Sequence, residues 1–370
     1  ESTLSSDAIV SPKPQKYTVK PDSSGDFVSI QACTEITSDL DTVLVYPGTY
    51  VENISIDGQN VIVQSFRGAD STIINGNNEA SCLSVVGNST VTFSGFTLRS
   101  GLGENGGGIF IESSGAITLN KLHVSSNLAS VDGGGLFVGS ANSGPVTVTN
   151  STFYNNECVN KGGGMNIQDD NTVIQSTLIF GNSTQQDAGG IYTSGKLKVL
   201  NCSFIENRVP SGRSGAAMMI ETGLDSSLLV NNIFYNNDDG IYKTNGKLVA
   251  YNNYFSETNA QLDIIRGSGN TFSDVDPFVN ASSNDYSLSN TSNQIGAGKV
   301  NTMFYGTNFT VHSMDANGTV RPTPSGSNPD LGAIENTLAS GIPAVLSITS
   351  PLSDGTYSLG ELITINITFS

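Results

Sequence analysis

The sequence predicts an all-β fold, a parallel β-helix in which short strands coil around one long core. Three observations carry this: a glycine-rich phrase that returns at a steady interval, a second apolar run inside each interval, and a shortage of helix-forming charged residues. The phrase "GENGGGIF" (residues 103–110) is echoed by "GGGLFV", "GGGMNI", "AGGIYT", "GAAMMI" and "DGIYK". The first residue after the glycines is Ile109, Leu136, Met165, Ile191, Met218 and Ile241, at spacings of 27, 29, 26, 27 and 23 residues. A single copy would suggest a phosphate-cradling loop, but that needs one helix N-terminus behind it. Six copies at near-constant spacing mark a repeat architecture instead.

Between glycine clusters each unit carries a run such as "AITLNKLHV", "PVTVTNSTF" or "KLKVLNCSF". Alternation such as Val146-Thr-Val148, with many β-branched residues, is strand-like. About 26 residues holding two or three short strands make one turn of a coil, which buries its inner face only by stacking on its neighbours. Gly106, Gly107, Gly108, Gly133, Gly134, Gly135, Gly162, Gly163, Gly164, Gly189 and Gly190 are read as structural turn glycines that let rungs approach closely. Amides recur at Asn120, Asn150, Gln175, Asn201, Asn231 and Asn252, and again at Asn127, Asn156, Asn182, Asn207 and Asn237. Both series are expected to stack along the axis at corners that favour a left-handed backbone.

Upstream, "TVLVYPGTYVENISI", "NVIVQSF" and "STIINGNN" add further short strands. "GDFVSIQACTEITSD" (residues 25–39) predicts an amphipathic helix, with Asp26 as N-cap and Phe27, Ile30 and Ile36 on one face, closing the open end of the coil. About ten rungs at roughly 4.8 Å each give a rod near 50 Å long.

Composition narrows the function classes. Only 13% of the 370 residues are charged, the formal net charge is −17 and Trp is absent. The acidic balance argues against nucleic acid and anionic membrane surfaces as partners, and no apolar run is long enough to span a bilayer. A start at Glu1 rather than Met suggests a processed protein. Cys33, Cys82, Cys158 and Cys202 lack metal-ligand spacing. They permit disulfides in an oxidising compartment, Cys33 with Cys82 being the preferred pair, with buried free thiols as the alternative.

"YTVKPDSSGDFVSIQACTEI" with "DTVLVYPGTYVENISI" resembles the opening of pectin-lyase-like right-handed β-helix proteins, and Gly48, Tyr50 and Glu52 are close to the G-x-Y-x-E signature of pectin methylesterases. "DPFVNASSNDYSLSNTSNQIGAGK" and "DANGTVRPTPSGSNPDLGAIE" resemble the closing segment of large surface-anchored β-helix proteins, and the GGG rungs resemble polymorphic outer-membrane proteins and adhesins. The resemblance implies a right-handed coil over residues 17–335 and leaves the activity open, since that coil carries lyases, hydrolases, esterases, adhesins and passive rods. Residues 1–16 read as an N-terminal extension and 336–343 as a linker. Residues 344–370, with "DGTY" and "LGELITINITFS", resemble the start of an immunoglobulin- or cadherin-like repeat.

No enzymatic constellation is complete. Gln168, Asp169 and Asp170 match part of a pectin methylesterase site, but the second aspartate motif and the R-P-W arginine are missing, and Arg321-Pro322 falls in the closing segment. Asp238-Asp239 imitates the acid pair of polygalacturonases, without the accompanying elements and far in sequence from His123 and His312. Asp132, Asp169, Asp170, Asp187, Asp238 and Asp239 read as turn residues that allow at most weak Ca2+ or sugar contact. No catalytic residue, metal ligand or cofactor is assigned. Ten N-x-S/T sequons occur; Asn150 and Asn201 fall in a corner ladder, while Asn53, Asn88, Asn280, Asn290, Asn308 and Asn317 are the expected glycan positions.

The expected function is a non-enzymatic, extracellular structural or adhesive module of a larger surface protein, filament or appendage. Such a module would contact other subunits or domains through residues 344–370, and extracellular polysaccharide through its flank. The alternatives are a carbohydrate-binding adhesin and a divergent polysaccharide lyase, hydrolase or esterase.

Overall fold

The computed structural model describes residues 13–256, 264–304, 307–341, 345–352, 355–358 and 361–369. Residues 1–12 of the expected extension and 342–343 of the expected linker lie outside them. The coil is built as the repeat predicts. A typical turn contributes one strand to each of three parallel sheets, as in Ile109–Ser113, Ile117–Asn120 and His123–Ser125, and the long strands Met218–Val230 and Ile241–Tyr251 run through the first two and join them. The next turn repeats the pattern in register, Ile109 opposite Leu136, Ile117 opposite Val146 and His123 opposite Thr152. The third sheet has ten strands, from Gly48–Val51 to Thr271–Phe272, matching the expected rung number. Short strands Leu102–Asn105, Leu128–Asp132, Glu157–Cys158 and Ser183–Thr184 form a fourth sheet on the way back to the first.

Strand alternation turns Ile, Val, Leu and Phe inward, and like residues stack along the axis. Phe204, Phe234 and Phe255 are fully buried, their rings 4.6 and 4.9 Å apart and nearly parallel. Inside the coil Asn127, Asn156, Asn182, Asn207 and Asn237 form the expected amide ladder, each Nδ2 donating to the next Oδ1 at 2.9–3.0 Å. A second ladder, Asn232 to Asn253 to Asn270, runs down another corner.

The other predicted amide series divides into two. Asn120 and Gln175 are in register with Thr149, one residue ahead of the corner. Asn150, Asn201, Asn231 and Asn252 hold the left-handed corner itself, with φ between 50 and 58°. Their amides mostly face outward: Asn201 Nδ2 donates to Asp330 O, Asn231 to Lys299 O and Asn252 to Ala297 O at 2.7–2.8 Å, and Asn150 donates to Asp315 O. They fasten the closing segment to the flank rather than stacking with one another, save one Asn231–Asn201 contact at 3.3 Å.

That segment follows the last rungs and packs Phe278, Tyr286, Leu288, Ile295 and Leu331 against Leu178, Ile205, Ile233 and Tyr254 on the third sheet. Arg321 is buried at its centre, 2.9 Å from Glu335 and donating to the carbonyls of Asp330 and Gly332. The D-x-G-A-x-E phrase thus fixes a buried hub. Asp330 accepts the Gly296 and Asn336 N–H groups, while Gly332 N and Ala333 N bond Asn231 O and Ser203 Oγ on the coil.

The N-terminal cap departs from prediction. The helix is only Ile30–Thr34, with Ser29 as N-cap. Residues 25–28 are drawn into the first rung, because Asp26 accepts from Thr18 N and Oγ1 and Phe27 pairs with Val19. Ile36 is 50% exposed rather than packed. The G-x-Y-x-E signature explains where the helix starts: Glu52 accepts from Ile30 N, Gln31 N and Ser29 Oγ, satisfying first-turn donors and placing negative charge at the positive end of the helix dipole. Among the described residues no helix is long and apolar enough to cross a membrane. Val345–Thr349 pairs antiparallel with Asn366–Phe369.

Candidate functional site

The glycine clusters decide what the flank of the first sheet looks like. Gly133 is left-handed (φ 67°) and starts the turn into a rung. Gly163 is needed for a different reason: a Cβ there would lie 2.1 Å from Ser183 O. Gly106 and Gly162 behave like the former; Gly107, Gly108, Gly134, Gly135, Gly164, Gly189 and Gly190 serve close approach rather than turn torsions. With rungs in such close register, the residue after each marker projects outward in one straight row: Ser55, Ser84, Phe110, Phe137, Asn166, Tyr192, Met219 and Tyr242.

A groove of about 530 Å³ lies over the first half of this row. Its floor is Ser55, Ser84, Phe110 and Phe137, the two rings 5.6 Å apart and 9° from parallel, with Phe110 half-buried and presenting its ring. Glu104 and Asn105 form one wall and Glu112 the other. The first wall continues as a line of side chains that hold backbone donors on neighbouring rungs. Asn105 Oδ1 accepts from Asp132 N, Asp132 Oδ1 from Lys161 N, and Asp187 Oδ1 from Ser214 N, at 2.9–3.2 Å. Burial raises the Asp132 carboxyl above its ordinary range.

Farther along, Lys161 Nζ lies 2.7 Å from Glu221 and 4.5 Å from the centre of the Tyr192 ring, while the Tyr192 hydroxyl donates to the same carboxylate at 2.5 Å. These hydrogen bonds hold Glu221 below its ordinary range, and burial with the nearby carboxylate pushes the Tyr192 phenol up. The phenol is therefore a donor and the amine an ion-pair partner. Asn166, between Phe137 and Tyr192, is 1% exposed; its Nδ2 donates to Lys161 O at 3.3 Å and its Oδ1 meets no donor. Aromatic stacking plus fixed polar atoms suits an extended polyhydroxylated chain.

Residues singled out in the sequence fall elsewhere. Asp169 accepts from Thr172 Oγ1, Asn171 N and Asn142 Nδ2 in a tight turn, and Asp170 accepts from Lys196 N. Asp238 pairs with Arg208 at 3.0 Å, and Asp239 accepts from Gly215 N and Gly240 N. Gln168 follows the strand Met165–Ile167 and is half-buried. His123 sits on the third sheet 3.6 Å from Asp70, and His312 in the closing segment contacts Met314. Among the described residues no group of three His, Cys, Asp or Glu could hold a metal ion.

Cys33, Cys82, Cys158 and Cys202 are free and buried, so the expected Cys33–Cys82 bridge is not formed. Cys33 faces the core beneath the cap helix, whereas the Cys82 thiol points to Arg99 O and Asn127 Oδ1. Asn53 is also corrected as a glycan position, because its Nδ2, the atom that would carry the sugar, donates to Gly76 O, Ala80 O and Ser81 O. Asn88, Asn280, Asn290, Asn308 and Asn317 are exposed. The outward row was missed in the sequence, although the residue after each marker already spells it.

A family model described as the right handed beta helix region matches residues 107–295, about half the chain. No curated protein matches. Among solved structures, carrot pectin methylesterase is similar at 13% identity and a TM-score of 0.41, covering 74% of this chain and 90% of that one. The pectate lyase Pel9A is similar at 16% identity and a TM-score of 0.42, covering 88% and 97%.

Proposed function

The chain belongs to the right-handed β-helix family, and from that premise we propose that it is a non-enzymatic adhesive and structural module of a larger extracellular protein, which holds glycan chains in the groove over Phe110 and Phe137. The observation that carries the reading is the half-buried Phe110 ring, backed in parallel by Phe137 on the next rung and bordered by polar side chains. The apolar face of a sugar ring stacks on such a surface while its hydroxyls reach the walls. The asparagine ladder beneath makes the floor rigid, so little ordering is required when a chain binds. Towards the C-terminus, the two-stranded sheet Val345–Thr349 and Asn366–Phe369, near exposed Leu362, Ile363 and Ile365, supports attachment to a further domain or subunit.

The test is a screen of the full chain against oligosaccharides, followed by titration of those that bind. Phe110→Ala is expected to weaken binding at least tenfold while the chain stays folded, losing about 1 kcal/mol of stability with the ring stack. Failure of every glycan to bind sinks the reading, and release of shortened products from a bound polymer sinks its non-enzymatic part.

A further inference from the structure

We propose that the groove over Phe110 selects amine-bearing glycans and rejects acidic ones; the inference rests on the glycan-binding reading above and names its ligand class. Three observations lead to it. The charged side chains lining the groove are Glu104 and Glu112, on opposite walls, with no lysine or arginine among the lining residues. Neither is in an ion pair among the described residues. The Glu112 carboxylate reaches over the next rung, into space left by Gly139, where a Cβ would stand 2.2 Å from Glu112 Oε1. It therefore lies beside the Phe110–Phe137 stack rather than out in solvent.

Lys161, which lies over Tyr192 farther along the coil, is already paired. Its amine is 2.7 Å from Glu221, so it does not offset the walls. A ligand running from Ser55 to Phe137 crosses three rung spacings, about 14 Å. Along that path it meets an aromatic face flanked by two carboxylates. Ammonium groups answer each feature: they are attracted to the ring face and to carboxylates. A polymer of uronic acids would bring further negative charge and acceptors to a chain whose net charge is −17.

The experiment is calorimetric titration of the full chain with three oligomers of equal length: glucosamine oligomers, their N-acetylated counterparts and oligogalacturonate. The glucosamine oligomer is expected to bind at least tenfold more tightly than the acetylated one, oligogalacturonate not measurably, and the preference to shrink in high salt. Glu112→Gln and Glu104→Gln, both near-isosteric, should each reduce glucosamine-oligomer affinity several-fold and acetylated-oligomer affinity by less, so that the preference between the two shrinks. Asp274→Asn, exposed near the far end of the coil, should change neither. Equal affinity for amine and acetylated oligomers, or tighter binding of oligogalacturonate, would overturn this inference while leaving glycan binding intact. A loss from Asp274→Asn as large as that from Glu112→Gln would also overturn it, by showing diffuse attraction to the whole chain. If none of the three binds and the broader screen is also empty, both readings fall together.

Discussion

Asn182 offers the sharpest test of what holds the coil together. It is 0% exposed in the middle of the ladder. Its Nδ2 donates to Phe153 O at 2.9 Å and Asn207 Oδ1 at 3.0 Å, and its Oδ1 accepts from Asn156 N and Nδ2, both at 3.0 Å. In Asn182→Ala the partners fare differently. Asn207 Oδ1 keeps the Asn182 backbone N–H, and Asn156 Nδ2 keeps Val124 O. The Asn156 backbone N–H loses its acceptor, and Phe153 O loses its side-chain donor. Two buried groups left wanting cost about 1–3 kcal/mol each, so a loss of about 4 kcal/mol is expected. Urea unfolding followed by far-ultraviolet circular dichroism measures it. Asn156→Ala removes one of the same bonds, Asn156 Nδ2 to Asn182 Oδ1, so the double variant should fall short of the sum of the singles by about 1 kcal/mol. A single-variant loss below about 1 kcal/mol, or strict additivity, would refute the claim that the ladder acts as a connected unit.

Three further outcomes follow from the closing segment and the surface. Burial pushes Asp330 up to about 7 although it accepts two backbone N–H groups. A folded value above the unfolded one, about 3.9, means its contribution is full below pH 4 and is lost as pH rises through 7. Stability should therefore decline over that window with a slope up to about 1.4 kcal/mol per pH unit, and Asp330→Asn should flatten the decline; an unchanged profile in the variant contradicts the assignment. All four thiols are buried, with Cys33, Cys82 and Cys202 pushed up to about 12 by desolvation. A thiol reagent should label none in the native chain and four after denaturation, and a mass two hydrogens lighter before reduction would show a bridge instead. Expressed in a glycosylating host, the chain should carry sugar at Asn88 or Asn280 and none at Asn53 or Asn201, as read by peptide mapping; occupancy of Asn53 would contradict its three hydrogen bonds.

Much of the coil was legible because its rules are local and periodic. An inward Ile109 recurs as Leu136, Met165 and Ile191, since each rung must bury the same face against its neighbours. The Asn127 series was legible for the same reason, an amide at every turn being able to pair with its own copy above and below. The six-membered amide series was half right: spacing alone could not separate Asn120 and Gln175, in the strands, from Asn150 and Asn201, one residue later at the corner. The cap helix was overextended because Phe27 and Ile36 fit a helical pattern, while the competing bonds from Asp26 to Thr18 come from a strand that the pattern does not contain.

By itself, then, the sequence determined the repeat, the strand alternation and the stacked interior, since each depends on spacing along one chain and on burying like residues together. Which residues share the groove was decided only by tertiary structure. Phe110 and Phe137 are 27 positions apart and meet because stacking brings successive turns to within one rung spacing; outside the groove Lys161 and Glu221, 60 apart and two turns away, meet because the long lysine side chain spans the intervening rung. The fate of the corner asparagines was likewise decided by a segment over a hundred residues downstream, in the Asn150–Asp315 and Asn201–Asp330 contacts. A repeat can announce that a corner exists, but its side chain bonds to whatever the folded chain lays beside it, because a buried amide must find its partners wherever they are.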